Sequence, residues 1–183
     1  MALIERIFLG IDPGQKGAYV MIDGDRNVLD ADFLPYAGKA LEVRRLNSWV
    51  DGILKDWDVS PDRLAAVLEA LGSRPSPKMG ASSAITMGRN WGRLDGWLTT
   101  RRTSYDVIQP KKWQAVVCPG GGDPKARSIL AAQRLFPKLD LAPGARRKPS
   151  DGIADAACMA EYARRVGVNH GMSLAQLMSL KPA

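Results

Sequence analysis

The chain is poor in the residues that most often announce a site. It has one histidine, His170, and two cysteines, Cys118 and Cys158, in 183 residues. The cysteines are far apart and form no C-x-x-C pair. That spacing argues against a zinc site or a disulfide framework, and leaves plain buried or loop thiols of an intracellular protein. The histidine lies near the C-terminus, outside every motif described below, and reads as a surface residue. No apolar run approaches the length of a membrane span, and MALIERIFLG is too short and too charged for a signal peptide. A cytosolic chain is expected. There is no internal repeat and no linker long enough to split the chain. The glycine-rich stretch PGGGDPK lacks the G-x-x-x-x-G-K-[ST] spacing of a phosphate loop, so its glycines fit a mobile loop instead.

What is present is a folded-domain composition with an excess of one charge. Hydrophobic residues make up 45% and charged residues 25%, which suits one domain with a sizeable core. Acidic residues are outnumbered 19 to 26 by Lys and Arg, a formal charge of +7. A merely basic enzyme would satisfy that number. Clustered Lys and Arg also displace counterions from phosphate backbones, so a nucleic-acid partner satisfies it with a physical reason.

Hydrophobic periodicity divides the chain into short strands and amphipathic helices. Residues 6–11, 18–23 and 28–34 read as three strands in an antiparallel meander, with a turn at Asp23-Gly24-Asp25. Leu46, Trp49, Val50, Ile53, Leu54 and Trp57 have helical spacing and predict a helix over 41–57, broken at Ser60-Pro61-Asp62. The run LAAVL, residues 64–68, predicts a fourth strand that ends on Glu69. A Gly/Ser/Pro/Lys loop leads to a helix from about Ala84 to Thr100, then a strand over 105–108 cut off by Pro110. Helices follow over 111–117, 124–136 and 151–166, the second with Asp123 as its N-cap and Pro124 in its first turn. The expected fold is α/β: a mixed five-stranded sheet, three antiparallel strands followed by parallel ones, flanked by helices. Residues 1–167 form one domain, and 168–183 form an extension whose MSLAQLMSL reads as a short apolar helix.

Four acids stand out against this order. Asp12 ends the first strand and Glu69 the fourth, and in such a sheet those strands are adjacent and parallel. Asp151 and Asp155 are four apart and share a helix face. If that helix crosses the strand ends, the carboxylates meet. Each has an ordinary explanation alone: Asp12 as a turn residue, Glu69 as a strand end, Asp151 as an N-cap, Asp155 on a solvated face. Together they form a set of hard oxygen ligands suited to Mg²⁺ or Mn²⁺, and two such ions can clamp the attacking and leaving oxygens of a phosphodiester.

The same residues carry a family resemblance. GIDPGQKGAYVMI resembles the first motif of RuvC-like Holliday junction resolvases, VLEALGSRP their second acidic motif, and SDGIADAACMAEYA their C-terminal acidic motif. KMGASSAITMGRNWGRLDGWL is similar to the helix after the second motif, particularly in phage-type members, and IQPKKWQAVV and GDPKARSILAAQRLFP follow in the family's order. The likeness runs from residue 6 to about 166. It implies an RNase H-like fold, a homodimer, and cleavage of four-way DNA junctions by paired symmetric nicks in recombination, repair or phage DNA processing. It implies two Mg²⁺ ions per site, with Mn²⁺ able to substitute, no organic cofactor and no membrane. The location would be a bacterial cytoplasm, or that of the host if the chain is phage-encoded. Carried over by position, Asp12 bridges both ions, Glu69 and Asp155 each complete one site, Asp151 assists, and Lys125 contacts phosphate beside them. The products would carry 5′-phosphate and 3′-hydroxyl ends. Cellular members usually place the last two acids three apart rather than four, which leaves open whether Asp151 binds metal directly.

Arg74, Lys78, Arg89 and Arg93, around the loop and helix after Glu69, are candidates for tracking DNA arms through phosphate contacts. So are Lys111 and Lys112, and Arg146, Arg147 and Lys148 before the last helix; each is otherwise a solvated surface cation. Trp91, Leu94, Trp97 and Leu98 make an apolar stripe that serves either the core or a partner copy. Three other functions compete. An actin-like ATPase would need two such domains to enclose a nucleotide. A non-catalytic junction binder would tolerate the loss of an acid, and all four are present. An RNase H-like nuclease acting on RNA–DNA hybrids or other branched DNA is poorly separated by sequence.

Overall fold

The computed structural model describes residues 4–14, 16–72, 79–101 and 103–168. Arg74, Lys78 and His170 lie outside the described residues, as does the C-terminal extension apart from Val168. Strands β1 (Ile7–Ile11), β2 (Ala18–Asp23) and β3 (Val28–Phe33) form the antiparallel meander. Strand β6 (Leu64–Glu69) pairs parallel to β1, and β7 (Ser104–Ile108) parallel to β6, giving one five-stranded sheet in the order β3-β2-β1-β6-β7. Between β3 and the first helix a pair of two-residue strands, β4 (Tyr36–Ala37) and β5 (Ala40–Leu41), makes a small hairpin that periodicity did not reveal.

Strand alternation sorts the core into two layers. Ile7, Leu9 and Ile11 with Leu64, Ala66 and Leu68 face α1 (Val43–Asp56) and α2 (Ala81–Thr100). Phe8, Ala65 and Val67 face the opposite layer, built from α3 (Pro110–Val117), α4 (Pro124–Leu135) and α5 (Asp151–Val166). Helix α1 starts at Val43 because residues 36–41 are taken by the hairpin, and it buries Leu46, Val50 and Leu54 at a spacing of four. Each such side chain contributes about 1.5–3 kcal/mol when fully buried. Helix α2 begins three residues earlier than its apolar pattern suggests, and it turns Leu94, Trp97 and Leu98 into the core. The apolar stripe is therefore mostly internal packing, with Trp91 half-buried beside it.

Helix α5 crosses β1 at very short range. A Cβ on Gly10 would lie 2.0 Å from the Ala156 carbonyl oxygen and 2.5 Å from the Ala160 nitrogen. Only glycine in the strand, facing a run of alanines on the helix, permits this approach. Helices α4 and α5 are both capped, by Asp123, which accepts from the Ala126 N–H, and by Ser150, which accepts from the Ile153 N–H. No described helix is long and apolar enough to cross a membrane.

Candidate active site

The alternation that builds the core also aims two of the acids. Asp12 follows Phe8 and Gly10 in register, and Glu69 follows Ala65 and Val67, so both carboxylates fall on the α5 side of the sheet at its β1 and β6 C-terminal ends. Helix α5 brings Asp151 in its first turn and Asp155 one turn deeper. Gly152 fits between them because a Cβ there would stand 2.9 Å from Asp12 Oδ2 and 2.7 Å from the Lys16 carbonyl oxygen. The four acids expected from sequence are thus gathered in one place, and their electrostatics record it.

Burial pushes the Asp12 carboxyl up to about 6; the Gly14 N–H, 2.9 Å from Oδ1, pulls it back, while the charge of Asp151 adds to the rise. Glu69 is pushed to about 8, first by burial and then by the charges of Asp12 and Asp155. Asp155 reaches about 7 by burial, with the charges of Asp12 and Asp151 adding to the rise and that of Lys125 opposing it. Asp151 goes the other way: its bond to the Lys125 ammonium holds it below the usual carboxylate range. That ion pair brings Lys125, near the start of α4, into the site as the sequence suggested, and the same bond raises the lysine. Asp151 is not the helix cap; Ser150 fills that role and leaves the Asp151 carboxylate to Lys125.

Two neighbours of the acids were not anticipated. Trp113 is fully buried, and its indole N–H reaches Glu69 Oε1 at 3.3 Å. A buried tryptophan needs an acceptor for that N–H, and Trp113 stands next to Lys112 in the basic motif, so a signal was there to read. Tyr36, on the hairpin, donates to the Gly14 carbonyl oxygen at 2.9 Å and so pins the Asp12-Pro13-Gly14 turn. Burial, and then the Asp12 charge, push its hydroxyl up to about 12. Cys118 and Cys158 are both buried, and the Cys158 thiol points at the Ser128 carbonyl oxygen, 3.6 Å away.

The donor set consists of carboxylate oxygens, as a hard divalent cation requires. Asp155 Oδ1 is buried without a hydrogen-bond partner, an arrangement that leaves one strong acceptor to be satisfied. Among the described residues no three acidic side chains close into a single cage for one ion. Mg²⁺ does not need such a cage, because it keeps several waters and is commonly held by one or two carboxylates together with substrate phosphates.

Among the described residues, the basic candidates at the start of α3 and before α5 lie at the same end of the molecule. Lys111 and Lys112 are exposed at the start of α3, which follows the C-terminal end of β7. Arg147 and Lys148 are exposed just before α5, and the Arg146 guanidinium lies 4.1 Å from the centre of the Phe33 ring. Phe33 pairs with Ala18, which places it at the Asp12 end of the sheet. Arg89 and Arg93 are exposed on α2, and Arg93 also donates to the Leu41 carbonyl oxygen at 3.3 Å.

An open α/β sheet with acids at adjacent parallel strand ends and on the crossing helix defines the RNase H-like class of folds. Within that class the chain has the RuvC fold. It superposes on the Thermus thermophilus RuvC structure with a TM-score of 0.59 at 15% identity, over 90% of this chain and 98% of that one. It matches T. thermophilus RuvC in complex with Holliday junction substrate at a TM-score of 0.58 and 14% identity, with the same coverage. No protein-family model and no curated protein matches the sequence.

Proposed function

We propose that the chain is a divalent-metal-dependent endonuclease that resolves four-way DNA junctions. The observation that carries this reading is the convergence of Asp12, Glu69, Asp151 and Asp155 at the basic end of a RuvC fold. Asp12 lies between the other acids and would be shared by two Mg²⁺ ions, with Glu69 completing one site and Asp155 the other. When bound, such ions activate water at neutral pH and neutralise charge on the leaving oxygen. Lys125 stands beside these groups, holds Asp151, and would meet a non-bridging phosphate oxygen. Trp113 orients Glu69 by its indole N–H. Lys111, Lys112, Arg89, Arg146, Arg147 and Lys148 would position the DNA arms through backbone phosphates, which fixes register without reading sequence. Two strands must be cut at symmetric positions, and a pair of copies related by a twofold axis supplies the two sites.

The test sets a synthetic four-way junction beside a flap and an RNA–DNA hybrid, with wild-type protein and Asp12→Asn in Mg²⁺. Paired nicks in the junction alone, lost in Asp12→Asn while junction binding persists, are expected. Preferential cleavage of the hybrid or the flap would move the chain to another RNase H-like activity. Nicking by Asp12→Asn at the wild-type rate would remove the acids from the chemistry.

A further inference from the structure

We propose that the cavity between the Asp12 turn, the β4–β5 hairpin and α2 is a pocket for one unstacked nucleobase, that of a nucleotide flanking the scissile phosphate. This deepens the nuclease reading of the acids and rests on it for the position of that phosphate. The cavity has a volume of about 200 Å³ and is lined by Pro13, Tyr36, Gly38, Lys39, Thr86, Met87 and Asn90. Pro13 directly follows Asp12, and Tyr36 is bonded to Gly14, so the pocket shares a wall with the catalytic turn. A strand whose phosphate rests at the acids would bring a neighbouring nucleotide to the Pro13 side of this turn, where the cavity lies.

Size and chemistry select the occupant. A cavity of about 150 Å³ admits a benzene ring, so this one has room for a single planar heterocycle and not for a base pair. Its apolar walls are the Tyr36 ring, Pro13 and the Met87 thioether, surfaces that stack on a π-face and adapt to its outline. Among the described residues no carboxylate, histidine or cysteine lines it, so its described walls carry none of the usual metal-ligating side chains. Its one cation among the described residues, Lys39, is exposed and so belongs to the rim, where it would meet a backbone phosphate. The Thr86 hydroxyl donates to the Ser82 carbonyl oxygen and keeps its lone pairs for a donor on the ligand.

The pocket wall is also fixed in advance. Asn90 is only 5% exposed, and its amide is committed at both ends: Oδ1 accepts from the Leu41 N–H at 3.1 Å and Nδ2 donates to the Lys39 carbonyl oxygen at 2.9 Å. The hairpin it holds contributes little to the core, since Leu41 is its one fully buried residue. A buried amide that clamps so short a hairpin to α2 has its clearest effect on the shape of this cavity. Such preorganisation lowers the cost of ordering a ligand.

The test places 2-aminopurine singly at each position around the cut site of a four-way junction and reads its fluorescence on binding Asp12→Asn protein. A base drawn from its stack into the pocket brightens, so a several-fold rise at one position adjacent to the cleaved phosphate is expected. Met87→Trp, which fills the cavity, should abolish the rise while the protein still binds the junction, with affinity lowered by no more than about tenfold, the loss of one stacking contact; Met87→Ala, which widens it, should keep the rise. With wild-type protein in Mg²⁺, an abasic site at that position should slow single-turnover cleavage by about tenfold, the loss of one stacking contact. Asp12-dependent cleavage with no brightening at any position, or brightening that survives Met87→Trp, would overturn the pocket and leave the nuclease standing. Met87-dependent brightening without cleavage of any junction would support the pocket and overturn the nuclease. A chain that binds no junction overturns both.

Discussion

Glu69→Gln should stabilise the protein, against the usual effect of altering a buried polar side chain. The Glu69 carboxyl has an ordinary value of 4.5 and is raised to about 8 in the fold. Between those values the unfolded chain releases a proton that the folded protein retains, so rising pH favours unfolding. The penalty is absent below the ordinary value and complete above the raised one. Each tenfold change in proton affinity is worth about 1.4 kcal/mol, which bounds the full penalty at about 4–5 kcal/mol. Glu69 is only partly buried, and Asp12 and Asp155 can take up the proton in its place, which brings the effect to about 2 kcal/mol. Glutamine removes the charge and keeps an oxygen to accept from Trp113. In EDTA at about pH 8.5 the variant should melt about 4–8 °C above wild type, since about 2–4 °C corresponds to 1 kcal/mol in a chain of this size. At about pH 4.5 the two should melt together. Millimolar Mg²⁺ should then raise the wild type more than the variant. Differential scanning fluorimetry across this pH range, with and without the ion, measures both effects. A variant that melts below wild type at high pH, or by the same margin at every pH, would refute the reasoning.

Asp155→Asn should lose cleavage outright, because Oδ1 of Asp155 is buried with no other partner. Asp151→Asn, whose oxygen is shared with Lys125, should lose about 10–100-fold, as a supporting partner does, with part recovered in Mn²⁺; single-turnover nicking in each metal decides, and the reverse order would make Asp151 the direct ligand. Junction affinity should fall by about 10³-fold or more between about 50 and 200 mM salt if six or more phosphates are contacted; a flat titration would leave the basic residues around the acids merely solvated. Gly10→Ala sets a methyl against the Ala156 backbone, which cannot rotate away, and should cost at least about 2 kcal/mol in chemical denaturation; an unchanged midpoint would refute the close packing.

The acids were legible because each marks a change in local pattern. An apolar run that stops on a carboxylate gave Asp12 and Glu69, and a spacing of four gave Asp151 and Asp155. The strand order then brought them together without any knowledge of side-chain contacts. The β4–β5 hairpin was not legible, since two-residue strands have no periodicity to detect. Asn90 was missed for a related reason: its partners are backbone groups of Lys39 and Leu41, about fifty residues earlier, and carry no residue-type signal. The apolar stripe of α2 read as core packing with part of it open to a partner copy, and burial of Leu94, Trp97 and Leu98 assigns those three to the core. Asp151 resembled an N-cap because Asp is favoured there, but Ser150 is equally favoured and stands one residue earlier.

The approach of α5 to Gly10 also bears on how the molecule comes apart. Residues packed backbone to backbone open only when everything around them opens, whereas the half-buried residues of β3 can fray on their own. The amides of Leu9–Ile11 and Ala156–Ala160 should therefore be among the last to exchange with solvent, on the timescale of global unfolding. Asp12 and Asp155 adjoin this slow unit on both sides. Heat would then leave no long-lived species that is folded but has lost the arrangement of its acids, and the inactivation curve should lie on top of the unfolding curve.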